Sequence, residues 1–436
     1  MSQAAEWKLN EPRFLDLLGQ MIELGPKLQN SPDAGLIPEE ALVADLVEAA
    51  LAPHIASGCL TFERLSGPGY ERRPSVVISI QGSGPGSIGF VGAHFDVVPA
   101  DWEAEQWERD PFKLWVGDDG TLYGRGVTDC LGHVALLTDF VAQLAERGAR
   151  PSRSIKIVLI SNEEEAPIAE CGLDYVVSAG ALADLKDGPI YWLDSADFGP
   201  TVGTGGTGMW ELRVKGVAGH SGLMHNCVNA LELGMHTALE MVRWFEGAYP
   251  THADEARYGF LSSSTLKSTV VQVNNEKITK VPGDAIIRGD IRLVPFYDMR
   301  QALQGAIDFV AGLDKAIQAD DPPAGFPRVK TVDGHRGSVK LVAKGRTIEG
   351  IACNLDSPGL QALVDAMRDA RGPDGARPYA MTGSLPLVRD LQRSGFDVQI
   401  TGFGRSTYYH APNEQATLEH FRQGFAILGG ICERLS

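Results

Sequence analysis

Three consecutive carboxylates, Glu163, Glu164 and Glu165, close an apolar run that begins at Ile155 (IKIVLISNEEE). Neighbouring carboxylates can take separate roles, one binding a divalent ion while the other handles the proton of an attacking water, the pairing that metal-assisted hydrolysis needs. In an extended segment successive side chains point to opposite sides, so Glu163 and Glu164 can meet different partners. An isolated acidic triplet would read as a solvated turn after a strand. Here other ligand-type residues accompany it. The run IGFVGA delivers His94 and Asp96, and the run PIYWL delivers Asp194. His94 alone would read as a satisfied core histidine. Asp96, two residues on, lies on the same side of a strand and can accept a hydrogen bond from the far ring nitrogen, the usual support of a metal-binding histidine.

Three further positions offer similar chemistry. Asp129 sits in a loop after Gly124 and Gly126, just before a helix whose apolar residues Val134, Leu137, Val141 and Leu144 follow the helical period, and it is free to be a ligand. His133, near the start of that helix, has an ambiguous role and stays outside the site. His220 follows a strand of alternating character, and its alternative reading is a plain loop histidine. His410 lies in a loop within STYYHAPNE.

These side chains must be positioned by a scaffold. Short β-branched runs bounded by polar residues read as buried parallel strands, and in open α/β sheets ligands collect outside the carboxyl ends of such strands. Strands are expected at 76–81, 88–95, 155–160 and 189–193, the first two joined by the glycine-rich turn GSGPGS. Asn10, Glu11 and Pro12 signal a helix start, and Phe14, Leu17, Leu18 and Met21 recur at helical spacing. GTGGTG at 203–208 lacks the phosphate-binding patterns and reads as a crossing between domains. A long helix over 229–249, strands at 269–273 and 284–294 and a helix over 298–317 then suggest a compact α+β domain inserted in the first, with a return near Cys353. No internal repeat is visible.

The 436 residues suffice for two domains, and 44% hydrophobic residues with 8% aromatics suit a globular chain. A formal net charge of −17, from 39 basic against 56 acidic residues, argues against nucleic acid or an anionic membrane as partner. It mildly favours cationic substrates and metal ions. Six scattered cysteines without a CxxC pair suggest free thiols in a reducing compartment, and the first residues lack a signal-peptide pattern, so the cytoplasm is expected.

Taken together, GAHFDVVP, YGRGVTDCLGHVAL, SNEEE, WLDSAD, GHSGLMH, GDIRLVPFY, CNLDS, TGSLPLVRDLQ and YYHAPNE resemble the dizinc amidohydrolase family of acetylornithine deacetylase, succinyl-diaminopimelate desuccinylase, aminoacylase and glutamate carboxypeptidase, over about Gly89 to Glu414. TDCLGHVAL, CNLDS and TGSLPLVRDLQ place the resemblance nearest the plant-type acetylornithine deacetylases. It implies an α/β catalytic domain with a mostly parallel sheet flanked by helices over 1–205 and 351–436. A smaller α+β lid and dimerisation domain over 206–350 would give a homodimer.

The resemblance further implies that His94, Asp129 and Asp194 hold one Zn²⁺ and that Asp129, Glu164 and His410 hold a second, with Asp129 bridging. Co²⁺ or Mn²⁺ could substitute in such a nitrogen and oxygen site. Glu163 would be the general base, Asp96 the support of His94, and Glu165 lies outside. His220 would stabilise the oxyanion across the dimer, and Arg292 would grip the substrate α-carboxylate with Gly383 and Ser384. One departure is Thr279, where relatives often carry Asn, three residues before Pro282. The expected reaction releases an acyl group from an N-acyl amino acid, with N-acetyl-L-ornithine the best single substrate. A dipeptidase or carboxypeptidase of the same chemistry and a metal-binding dimer without activity are the rivals.

Overall fold

The structure, a computed structural model, describes residues 7–148, 150–165, 168–275, 277–385 and 387–436. In chain order its main elements are α1 (Glu11–Glu23), α2 (Ala41–Ala56), β1 (Thr61–Leu65), β2 (Ser75–Ile80), β3 (Ser87–His94), α3 (Leu131–Glu146), β4 (Ser154–Ile160), β5 (Pro189–Leu193) and β6 (Phe198–Gly203). There follow β7 (Gly206–Lys215), α4 (Ala230–Ala248), β8 (Thr265–Gln272), β9 (Asp284–Leu293), α5 (Met299–Ala319), β10 (Ser338–Ile348), α6 (Pro358–Arg371), β11 (Asp397–Gly402) and α7 (Leu418–Arg434). They form two compact units: Met1–Val202 with Cys353–Tyr379 and Leu387–Ser436, and Gly203–Ala352 with Ala380–Pro386.

Local chemistry accounts for the helix starts. Asn10 accepts from the Arg13 amide and Pro12 occupies the first turn, while Phe14, Leu17, Leu18, Met21 and Ile22 are buried on one face of α1. Asn229, Asp298, Ser357 and Thr417 cap α4, α5, α6 and α7 in the same way. The motif CNLDS therefore has a structural purpose: Ser357 takes the two first free amides of α6 and Asn354 holds the Asp356 amide. Helix α3 is buried almost all round rather than along one stripe. Its one buried acid, Asp139, is matched by Arg13 at 2.5 Å and by the Asn10 amide.

The sheet of the first unit runs β1-β2-β4-β3-β5-β11-β6. Strand β3 pairs parallel with β4 on one side and with β5 on the other, and β11 continues parallel to β5. β2 and β3 are joined by a short turn, yet they do not pair; β4 lies between them, antiparallel to β2. The continuous apolar run of each central strand fixes that it is buried on both faces, whereas neighbour choice depends on the whole sheet. All residues of β3 and β5 are buried.

The second unit has an antiparallel sheet in the order β8-β9-β7-β10. Trp210, Leu212 and Val214 of β7 and Ile287 and Ile291 of β9 share its core with Leu233, Met241 and Phe245 of α4 and Leu303, Val310 and Leu313 of α5. Among the described residues no helix is long and apolar enough to cross a membrane, and the six cysteines form no disulfide.

Candidate active site

Three adjacent parallel strands end at the same edge. In the register of β3 and β4, His94 is the last residue of its strand and faces Ile160; Val91 faces Trp192 of β5, two residues before Asp194. Close packing here requires a glycine: Gly92 has φ +107°, and a Cβ there would lie 2.7 Å from the Trp192 ring. Glu163 and Glu164 are not on β4 itself, which stops at Ile160. Asn162, with φ +56°, turns the chain, so it is this bend rather than strand alternation that separates the two carboxylates.

The edge collects the metal-type side chains. The Asp129 carboxylate lies between two imidazoles, with Oδ1 at 2.9 Å from His94 Nε2 and Oδ2 at 3.2 Å from His410 Nε2. Asp194 Oδ1 is 3.8 Å from His94 Nε2, Glu163 Oε2 is 3.9 Å from it, and Glu164 Oε2 is 3.1 Å from His410 Nε2. Two groups of potential ligand atoms result, each within 4.8 Å: His94, Asp129, Cys130 and Asp194 in one, and Asp129, Glu164 and His410 in the other. The imidazole of His94 is buried, while that of His410 is partly exposed.

The support of His94 is shared between the backbone and the side chain of Asp96. Its Nδ1 lies 2.9 Å from the backbone carbonyl of Asp96, and the Asp96 carboxylate is farther, at 3.5 Å. A donor at Nδ1 leaves the Nε2 lone pair free for a metal. The buried carboxylate also accepts from the amides of Glu163 at 3.1 Å and Glu164 at 3.0 Å and from Asn30 Nδ2 at 2.8 Å. Asp96 thus shapes the glutamate bend as well as the histidine.

Charge at this edge is unbalanced. Burial first, then Asp194, pushes the Glu163 carboxyl well above its ordinary pKa; burial and Asp129 raise Glu164 to about 7, and burial raises Asp194 to about 7. Burial opposes ionisation of Asp129 also, yet the bonds from His410 and His94 hold its carboxyl below the usual range. Those to Asp129 and Glu164 lift His410 to about 10. Glu164 Oε1 is buried without a hydrogen-bond partner. Four close carboxylates, two imidazoles and an orphaned oxygen fit divalent cations, whose charge offsets the carboxylates. The nitrogen and oxygen donors suit zinc-type ions with open positions.

Two supports escaped the sequence reading. Glu414 accepts from Arg125 Nη1 at 2.7 Å and from the amides of Gly126, Thr128 and Asp129 at 3.0, 2.9 and 3.0 Å, so one buried carboxylate holds the loop that carries Asp129. Asn30 acts similarly on Asp96. Nothing in one sequence marks either residue, because their partners lie far along the chain. Cys130 also enters the cluster unannounced.

The remaining candidates are in the second unit. His220 is exposed in a two-residue strand, and its Nδ1 accepts from the Gly222 amide at 3.0 Å. The carbonyl of Thr279 accepts from the Ser221 amide at 2.9 Å, beside it. Arg292, on β9, donates to Asp290 Oδ2 at 2.7 Å. The Gly383 carbonyl accepts from the Gly205 amide at 2.8 Å, and Ser384 is half-buried.

Comparison with known proteins bears on this site. The chain is 41% identical to an acetylornithine deacetylase of Dictyostelium discoideum, covering 99% of this chain and 98% of that one. It is 38% identical to an acetylornithine deacetylase of Arabidopsis thaliana, covering 98% and 96%. Among solved structures, the fold is similar to that of the dipeptidase Dug1p from Saccharomyces cerevisiae (TM-score 0.67, 17% identity, 97% of this chain and 96% of that one). Human carnosine dipeptidase 1 is comparably close (TM-score 0.66, 18% identity, 98% and 96%). The family model described as Peptidase family M20/M25/M40 matches residues 90–434, a span that takes in every ligand-type side chain of the edge, and the chain belongs to that family of metallohydrolases.

Proposed function

We propose that this protein removes the acetyl group from N-acetyl-L-ornithine, or a closely related N-acyl amino acid, by metal-assisted amide hydrolysis. The observation that carries the reading is the Asp129 carboxylate, one oxygen toward His94 and the other toward His410. It is supported by the identity to acetylornithine deacetylases over nearly the whole chain.

His94, Asp129 and Asp194 would hold one divalent ion, and Asp129, Glu164 and His410 a second. Zn²⁺ is the proposed metal, with Co²⁺ or Mn²⁺ as substitutes. When bound, such ions lower the pKa of water and polarise an acyl carbonyl. Glu163 takes a proton from the water that attacks the acyl carbon and returns it to the departing amine. Burial and the neighbouring carboxylates hold its pKa high, which suits a group that must both accept and release a proton. Asp96 keeps Glu163 and Glu164 in place through their amides. His220 donates to the developing oxyanion from a partner subunit, and Arg292, with Gly383 and Ser384, receives the substrate α-carboxylate. The second unit serves as lid and homodimer contact, and the cytoplasm is the proposed compartment.

A panel of N-acetyl amino acids and dipeptides, assayed with added Zn²⁺ or Co²⁺, tests the substrate. The highest kcat/KM is expected for N-acetyl-L-ornithine. A higher value for dipeptides would replace the deacetylase reading by a dipeptidase one. Metal content below one ion per chain under replete conditions would remove the hydrolytic mechanism altogether.

A further inference from the structure

The motif TDCLGHVAL places two side chains beside the ligand cluster that the proposed chemistry leaves unused, Cys130 and His133. Both are fully buried. The Phe403 amide donates to His133 Nε2 at 2.8 Å. A backbone amide can only donate, so Nε2 carries a lone pair and the neutral ring bears its proton on Nδ1. Nδ1 is 3.4 Å from Cys130 Sγ, so the ring proton is shared between the sulfur and the Thr128 backbone carbonyl. The thiol hydrogen is then directed to the Leu193 carbonyl, 3.6 Å from Sγ. Stacking of the imidazole on Phe403, with centroids 5.6 Å apart, holds the ring plane. Donation thus runs one way, from Phe403 through His133 and Cys130 to Leu193.

The last two members of this series are the covalent neighbours of two ligands: Cys130 follows Asp129, and Leu193 precedes Asp194. We propose that Cys130, oriented by His133, is a positioning residue that braces the backbone of Asp129 against that of Asp194 and so sets the spacing of two carboxylates in one metal site. The inference rests on the ligand assignment proposed above. Cys130 Sγ lies among the ligand atoms of His94, Asp129 and Asp194, so direct ligation is the competing arrangement. Against it, the thiol already has a donor and an acceptor partner. Sulfur hydrogen bonds are individually weak, so the brace acts through geometry rather than through overall stability.

The test uses the full chain, stripped of metal with a chelator and titrated with Zn²⁺ and separately with Co²⁺, for wild type, Cys130→Ala, Cys130→Ser, His133→Gln and His94→Ala. Cys130→Ala is expected to weaken one class of Zn²⁺ site by about 10- to 100-fold, the range typical for groups that orient ligands. The other class, which shares Asp129 but not Asp194, should weaken less. Cys130→Ser, which keeps a donor for the Leu193 carbonyl, should recover most of the loss. Should Cys130→Ala fail to fold, His133→Gln carries the same expectation. Unchanged affinity in a folded Cys130→Ala or His133→Gln overturns the brace, and so does a sulfur-to-cobalt charge-transfer band in the Co²⁺-loaded wild type. His94→Ala separates the two levels: if it loses one ion while Cys130→Ala loses none, only the brace is wrong. If His94→Ala keeps both ions, the ligand assignment fails and the brace with it.

Discussion

The carboxyl edge of the first unit's sheet and the solvent side of the second unit's sheet both carry charge, and they manage it by opposite means. At the first, Asp129, Glu163 and Asp194 are buried, and each side chain or its backbone is held by groups from distant parts of the chain. At the second, Arg213 and Lys215 of β7 are exposed, and Arg292 pairs with Asp290 two residues away on the same strand. Burial makes each unbalanced charge costly, so it dictates where every neighbour must be. Water makes such choices cheap. The stability of the fold should therefore be sensitive to substitution in the first region and tolerant of it in the second.

The largest effect is expected from Glu163→Ala. With the proposed proton carrier removed, the variant should lose about 10²- to 10⁴-fold in kcat while metal content by elemental analysis stays at the wild-type level. Substantial residual turnover would remove its role. Next, Glu414→Ala leaves Arg125 buried without its carboxylate and three amides unpaired. Removing one partner of a buried pair typically costs about 3–5 kcal/mol, read as a lower denaturant midpoint. A change near zero would erase the contrast between the two regions.

Acid should act through His133 as well. Burial depresses this histidine to about 4, against an ordinary value of 6.5. Its contribution is present above the unfolded pKa and is lost as pH falls through the range from 6.5 to 4, on the order of 3 kcal/mol in all. Thermal midpoints of wild type and His133→Gln, compared across that range, should show a flatter acid slope in the variant. Parallel slopes would mean that the imidazole is not held neutral. The smallest effect is expected at Asp290→Ala: a partly exposed pair contributes about 0–1 kcal/mol. A loss of several kcal/mol in urea unfolding would show the second unit's sheet to be no more permissive than the buried edge.

Much of the site was legible because ligand chemistry restricts residue type. His94, Asp129, Glu164, Asp194 and His410 stood out as imidazoles and carboxylates at strand ends and in loops, and the fold brings them within reach of one another. Strands and helices were legible from periodicity, with ends displaced by a few residues: β8 begins at Thr265 rather than 269 and ends at Gln272 rather than 273. Pairing was not. The short turn between β2 and β3 suggests adjacency, yet β4 lies between them, because strand order is decided by long-range contacts that a local turn does not encode. The reading of Asp96 as support for His94 was incomplete, since the backbone carbonyl of the same residue lies closer to the ring than its carboxylate does.

The chain's order of residues by itself determined which groups can bind a divalent ion and, to within a few residues, where its strands and helices lie, and its charge and composition suit a globular chain. Tertiary structure alone decided how those groups are held: Glu414 on the Asp129 loop, Asn30 on Asp96, and the one-way series from Phe403 to Leu193. The reason is physical. A ligand is recognised by its own donor atoms, which the residue name specifies, whereas a support is recognised only by its partner, and hydrogen-bond partners separated by tens to hundreds of residues meet only after the sheet has closed around them.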